Sequence, residues 1–287
     1  MTFAADTNED PSIHSAAGYY RAFWNLDLWV DFIEPAKVPG SPYKVLAVPW
    51  HLIGKKAACA AIQAFAEQGG IVILESGFAR FDDAYYFNAV IPGKGLAAVF
   101  GYREKESIMI QDGKLPLEAL DEAPSGVNPY DPEIVFSHPV SARVKANTYL
   151  TPIEVDSATA IATCRHWTVG AMKQVGAGRV YYFGTNLGAS IAAGSSGGID
   201  VFRSIVSPVV RAQATSSAKL RPRLIQAAGR ALLTVFNETD QPQVAGINLP
   251  AGYRRATDIY SGKQQGITGN RLELSVPFRE VSVFDLE

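Results

Sequence analysis

What the chain has little of narrows it first. Only 2 of its 287 residues are cysteine, Cys59 and Cys164, too few for a disulfide scaffold or a thiolate metal cage, and both are expected as free thiols. Histidine is nearly as scarce. His14, His51, His138 and His166 stand apart, without the carboxylate or cysteine spacing that a metal needs, so no metal site and no cofactor are expected. No stretch approaches the ~18–20 apolar residues that cross a bilayer, and residues 1–15 are polar and acidic rather than signal-like. A cytoplasmic protein without membrane contact is the expectation. Neither sign of charge dominates: a formal net charge of -2 with scattered Lys and Arg removes the basic footprint of a nucleic-acid binder. A phosphate loop is missing too, because the glycine- and serine-rich residues 184–198 lack its Lys-Ser/Thr ending and read as a flexible connection.

Against those absences stand 47% hydrophobic and 19% charged residues, the usage of a soluble globular domain rather than of a disordered or fibrous chain. The length allows one large or two ordinary domains. Tyr20, Phe23 and Trp24 share one stripe of a helix expected over 17–29, followed by a strand-like stretch at 29–33 and the breaker Glu34-Pro35. The apolar run 43–48, a helix over 54–68 closed by Gly69-Gly70, and a strand at 71–74 have the spacing of a β-α-β crossover. That unit predicts an α/β fold built on a doubly wound parallel sheet. Residues 78–95, rich in rings and turns, predict an ordered excursion, and a short helix is expected at 95–100. Alternating patterns over 108–120 and 134–149, separated by the Pro- and Gly-containing 123–132, predict an antiparallel insertion. Further strands are expected at 158–164 and 179–183, the second reached from 171–175 through the turn Gly176-Ala177-Gly178, and a closing helix at 200–210. Beyond 220, short alternating strands at 222–227, 231–237, 243–249, 256–259, 271–276 and 280–285 predict a small all-β sandwich. The expected organisation is an α/β domain over 1–211, a linker over 212–219 and the β-sandwich over 220–287.

Several motifs occur together in a recognisable order. Gly18-Tyr19-Tyr20-Arg21-Ala22-Phe23-Trp24 leads to Val30-Asp31-Phe32-Ile33, then come Tyr43-Lys44-Val45-Leu46-Ala47-Val48-Pro49 and Phe65-Ala66-Glu67-Gln68-Gly69-Gly70. Ser76-Gly77 opens a loop that ends in Gly95-Leu96 and Phe100-Gly101-Tyr102-Arg103. Gly176-Ala177-Gly178-Arg179-Val180-Tyr181-Tyr182-Phe183-Gly184-Thr185 and Leu233-Thr234-Val235-Phe236-Asn237-Glu238-Thr239-Asp240 follow. The series resembles the C-terminal half of family 42 glycoside hydrolases, the β-galactosidases that carry a trimerisation domain after their catalytic barrel, and it covers most of the chain. The resemblance implies a class I glutamine amidotransferase-like (flavodoxin-like) fold and a role in assembly. On this expectation the chain is the non-catalytic, oligomer-forming region of a β-galactosidase-like enzyme. Its partners would be further copies of itself, in a homotrimer, and a glycosidase catalytic barrel, with a galactoside or other glycan as ligand. The family's catalytic glutamates lie on the barrel, before the resemblance begins, so no catalytic residue carries over. The chain is then either part of a longer hydrolase or a free-standing relative.

An amidotransferase-like sheet invites a search for a Cys-His-Glu triad, but Cys59 sits mid-helix among alanines and Cys164 precedes Arg165-His166, neighbours that point to opposite faces of a strand. Open α/β sheets bind ligands at the carboxyl ends of their strands, here Pro49-Trp50-His51, Glu75-Ser76-Gly77 and Gly184-Thr185-Asn186. Trp50, His51, Glu75, Ser76 and Asn186 are therefore the candidate carbohydrate-binding residues: a ring face suits sugar C–H groups, and amide, hydroxyl and carboxyl groups suit sugar hydroxyls. In a free-standing protein the same place would serve carbohydrate binding or glycan hydrolysis, with Glu75, His51 and the loop carboxylates Asp82 and Asp83 as the groups to place; a glycosidase needs its two carboxyls ~5–5.5 Å or ~6.5–9.5 Å apart. The rings of Phe81, Tyr85, Tyr86 and Phe87 are the candidate subunit interface, unless they fold back on their own domain.

Overall fold

The computed structural model describes residues 11–116, 130–227 and 229–287. The 117–120 end of one expected strand pattern, and most of the stretch 123–132, lie outside the described residues. The chain divides into two compact units, one made of Met1–Ala22 with Asp31–Val210, the other of Phe23–Val30 with Arg211–Glu287.

Helix α1 (Pro11–Asn25) comes first, with its residues up to Ala22 in the first unit, and residues 29–33 form no strand. The crossover expected from the sequence is present as β1 (Val45–Val48), α2 (Lys56–Glu67) and β2 (Ile71–Glu75), with β1 and β2 parallel in the register Val45 to Ile71. All five residues of β2 are buried, as a strand covered on both faces requires. Next come α3 (Leu96–Phe100), β3 (Tyr102–Glu104), β4 (Ile108–Met109), β5 (Glu133–Phe136), β6 (Ala142–Lys145), β7 (Tyr149–Leu150) and β8 (Ile153–Val155). The unit closes with β9 (Thr159–Cys164), β10 (Trp167–Val175), β11 (Gly178–Phe183), α4 (Leu187–Ala192) and α5 (Ser196–Val206).

The doubly wound parallel sheet of amidotransferase type, expected above, is not what forms. The main sheet is a curled, mixed one of seven strands in the order β1-β2-β11-β10-β9-β5-β6, and only the β1–β2 and β2–β11 pairings are parallel. Turn length explains the difference. β9 and β10 are joined by Arg165-His166 alone and β10 and β11 by Gly176-Ala177, connections that close antiparallel hairpins and cannot carry a crossover helix. One β-α-β unit was generalised to a whole sheet that continues antiparallel. The supposed insertion is part of this sheet as well, since β5 pairs with β9 and β6 with β5. Only five α-helices occur among the described residues, and residues 184–198, expected as a flexible connection, contain α4 and the start of α5.

The second unit contains two antiparallel sheets. One joins β12 (Thr215–Ser216), β15 (Gln243–Asn248) and β18 (Arg271–Val276); the other runs β13 (Leu220–Ala227), β14 (Arg230–Asn237), β19 (Val281–Leu286), β16 (Arg255–Asp258), β17 (Gln264–Gly266). Strict alternation of exposed and buried residues along β18 turns Leu272, Leu274 and Val276 inward, where they meet Leu233 and Val235 of β14 and Phe284 of β19 in one apolar cluster. Segment Phe23–Val30 is bound into this unit by side chains. The Trp24 ring lies edge-on to Phe236 at 5.0 Å, its indole N–H donates to Glu238 at 2.7 Å, and Trp29 donates to the Leu224 carbonyl at 3.1 Å.

Candidate functional site

At the carboxyl end of β2 the structure brings together Glu75 and the backbone of Trp50, residues of two of the expected strand ends. Glu75 is fully buried. Its carboxyl accepts from the Ser15 hydroxyl of α1 (2.6 and 2.5 Å to the two oxygens), from the Trp50 amide just past β1 (3.0 Å) and from the Gly188 amide in the first turn of α4 (2.7 Å). Such an approach of α1 to α4 is possible because both carry glycine there: an added Cβ on Gly18 would lie 1.7 Å from the Gly188 carbonyl oxygen, and one on Gly188 would lie 2.2 Å from that of Ser15. Sequence reasoning missed Ser15, Gly18 and Gly188, although a glycine inside an apolar helix is a signal of close backbone approach.

Burial pushes the Glu75 carboxyl up to about 6, while the hydrogen bonds from Ser15, Gly188 and Trp50 pull the other way. A group whose folded-state pKa lies above its unfolded value adds stability below the unfolded pKa, and that increment is lost as the pH rises through the folded one. From 4.5 to about 6 the increment amounts to about 2 kcal/mol. We expect the unfolding free energy of the protein, relative to that of a Glu75→Gln variant, to fall by that amount between about pH 3 and 8. Parallel denaturation curves over this range check it, and a constant difference would contradict the assignment.

The other expected residues are enclosed to different degrees. Trp50 is buried, holds φ at +35° and stacks on Tyr149 at 6.2 Å between ring centres. His51 is half-buried, and burial together with Lys55 holds its imidazole pKa below the ordinary value. Ser76 is buried and hydrogen-bonded to Thr151 at 2.5 Å. Asn186, fully buried, precedes α4. The loop carboxylates are committed elsewhere: Asp82 accepts from the amides of Ala84 (2.8 Å) and Tyr86 (2.9 Å), and Asp83 pairs with Lys94 at 2.8 Å.

The aromatic excursion is held against residues 51–54 by its own backbone. Ala79 N donates to His51 O, Phe81 N to Leu52 O and Gly54 N to Phe81 O, all within 2.9 Å. Phe81 is half-buried, edge-on to Phe87 at 5.7 Å, while Tyr85, Tyr86 and Phe87 are 61%, 74% and 63% exposed. On the same unit a cleft of about 720 Å³ opens between residues 105–109 and the β9–β10 turn, with Ser107 on one side and Trp167 on the other.

A family model for the β-galactosidase trimerisation domain matches residues 4–194. The chain belongs to this family. Among curated protein sequences none matches it. Solved structures that resemble the trimerisation domain include a β-galactosidase from Bacillus circulans sp. alkalophilus (17% identity, TM-score 0.72), which covers 99% of this chain and 39% of its own. Others are a catalytic mutant of Gan42B, a family 42 β-galactosidase from G. stearothermophilus (18%, 0.71, 100% and 37%), and a cold-adapted β-galactosidase from Rahnella sp. R3 (16%, 0.69, 94% and 36%). The chain thus spans less than two fifths of the length of each, and at these identities the likeness is one of fold. As a trimerisation domain its role is oligomerisation. No helix among the described residues is long and apolar enough to cross a membrane.

Proposed function

We infer that this chain is the non-catalytic assembly region of a β-galactosidase-like enzyme, that it forms a homotrimer, and that the Tyr85, Tyr86 and Phe87 face is the centre of the contact between copies. The observation that carries this reading is three adjacent rings left in water on a loop whose backbone is already fixed. Exposed rings on a flexible loop would lose much of their gain to ordering; here little ordering remains. At their exposures the three rings offer on the order of 400 Å² of apolar surface, about half of the ~800 Å² per partner that a stable interface covers. They would form its hot core, with Val90, 46% exposed, at the edge. The inferred architecture gives Glu75, Ser76 and Asn186 a structural part, because each is enclosed by its own chain.

Light scattering on the purified chain should give three times the 30.9 kDa chain mass. A Tyr85→Glu/Tyr86→Glu variant should give the single mass, with intrachain stability altered by no more than about 0.5 kcal/mol per exposed site. A variant that keeps the full oligomer mass would remove this face from the contact.

A further inference from the structure

The β9–β10 turn is built from the wrong residues for its geometry. Two-residue hairpins that need positive φ favour Gly, Asn or Asp, yet Arg165 stands there with φ +56° and is followed by His166. A non-glycine residue in this region costs roughly 1 kcal/mol or more. What the pair provides lies in its side chains: the His166 ring sits 4.7 Å from that of half-buried Trp167, and the Arg165 guanidinium carbon lies 5.7 Å from the Trp167 ring centre. Local strain is thus retained beside an aromatic ring that faces the cleft.

Across the cleft a single hydroxyl is held by a chain of part-buried contacts. Ser107 Oγ accepts from Arg80 and, at 2.9 Å, from the Thr151 hydroxyl. Arg80 is in turn held by Glu104 at 3.3 Å, and Glu104, with no exposed side-chain surface, accepts from Gly77 N at 2.8 Å. With two donors already directed at its oxygen, the Ser107 proton is left to donate outward. Glu106 adds an acceptor to the lining, and Pro152 and Ile153 add apolar surface. Nearby charges balance, as the Lys105 ammonium pairs with Glu154 at 3.2 Å, which disfavours an anionic occupant. The volume falls within the ~300–1,000 Å³ of small-molecule sites, and an aromatic ring opposite a held hydroxyl matches a ligand with an apolar C–H face and a polar rim.

We propose that this cleft binds a neutral saccharide, with Trp167 beneath a sugar face and Ser107 and Glu106 hydrogen-bonding to its hydroxyls. The choice of sugar rests on the β-galactosidase reading; the site itself rests on the cleft.

The test is calorimetric titration of the whole chain with galactose, lactose and a β-galactobiose, with oligomer mass measured on the same sample. Saturable binding to at least one sugar is expected, weakened roughly tenfold in Trp167→Ala and roughly fivefold in Ser107→Ala, and retained in Trp167→Phe, which keeps a flat ring and controls for folding. No binding up to about 50 mM sugar, well above the weak end of measured affinities, overturns the proposal. So does unchanged affinity in Trp167→Ala, loss in Trp50→Ala instead, or competition by inorganic phosphate. A sample that is trimeric but binds no sugar sinks this site alone, whereas a monomeric sample that binds sugar sinks only the assembly reading.

Discussion

Gly18→Ala is expected to lower the unfolding free energy by about 3 kcal/mol or more, the reverse of what helix propensity alone predicts. In the interior of a helix, alanine is favoured over glycine by about 1 kcal/mol. At this position the new methyl would sit 1.7 Å from the Gly188 carbonyl oxygen and 2.6 Å from its carbon, atoms of backbone that cannot swing aside. Overpacking of this kind costs about 1–3 kcal/mol when neighbours can yield, and here two helices must separate. Their separation carries a second cost. Ser15 on α1 and Gly188 on α4 both donate to Glu75, so moving the helices apart withdraws donors from a carboxyl with no access to water. Each hydrogen bond to a charged group is worth about 1.5–3 kcal/mol. Denaturation of Gly18→Ala beside the parent protein decides the matter. A gain near 1 kcal/mol would mean that α1 does not rest on α4 as described, whereas a loss that shrinks in Glu75→Gln would tie both costs to one cluster.

The same cluster shows where sequence reading stopped. The run Ile71-Val72-Ile73-Leu74 was legible as a doubly covered strand because its apolar pattern is contiguous, and the helix before it because Gly69-Gly70 marks its end. Most strands of the second unit were legible to within two residues, since alternation such as that in β18 is a local signal. The motif order also identified the family. Strand direction was legible at the Gly176-Ala177-Gly178 hairpin but not before it: the Arg165-His166 turn carries none of the usual turn residues, so the first half of β10 gives no strand signal and the parallel unit was extended too far. The Gly- and Ser-rich 184–198 looked like a loop because small residues lower helix propensity; at Gly188 they are demanded by a tertiary contact with Ser15, 173 positions earlier in the chain (188 − 15 = 173). Glu75 looked like an open strand end for the same reason. Its cover comes from residues 60 positions before and 113 after it, and no window of local pattern spans those separations.

Asp27 is the second position where a local rule and a distant contact disagree, and Asp27→Gly separates them. Backbone bonds from Leu28 N to Phe23 O (3.2 Å) and Asp27 N to Trp24 O (3.1 Å) close α1 in the Schellman pattern, with Asp27 at φ +58°, the place where glycine is ordinarily found. By that rule glycine should stabilise the helix end. Asp27, however, supplies the carboxylate for Arg223, whose side chain has no exposed surface. The guanidinium donates to Asp27 at 2.9 Å, to the Trp24 carbonyl at 2.7 Å and to the Pro222 carbonyl at 2.8 Å, and its carbon lies 4.1 Å from the Trp24 ring centre. Removing one partner of a buried pair costs about 3–5 kcal/mol, because the other charge is left without compensation. Against this, relief of the left-handed strain returns about 1 kcal/mol. The expected result for Asp27→Gly is a net loss of about 2–4 kcal/mol in the unit made of Phe23–Val30 and Arg211–Glu287, read as lost amide-exchange protection in β13 and β14. The double variant Asp27→Gly/Arg223→Met should recover much of that loss, since an apolar side chain of similar length needs no counterion. If the double variant is as unstable as Asp27→Gly alone, the carboxylate matters for some reason other than Arg223, and the ion pair is not what binds Phe23–Val30 into the unit.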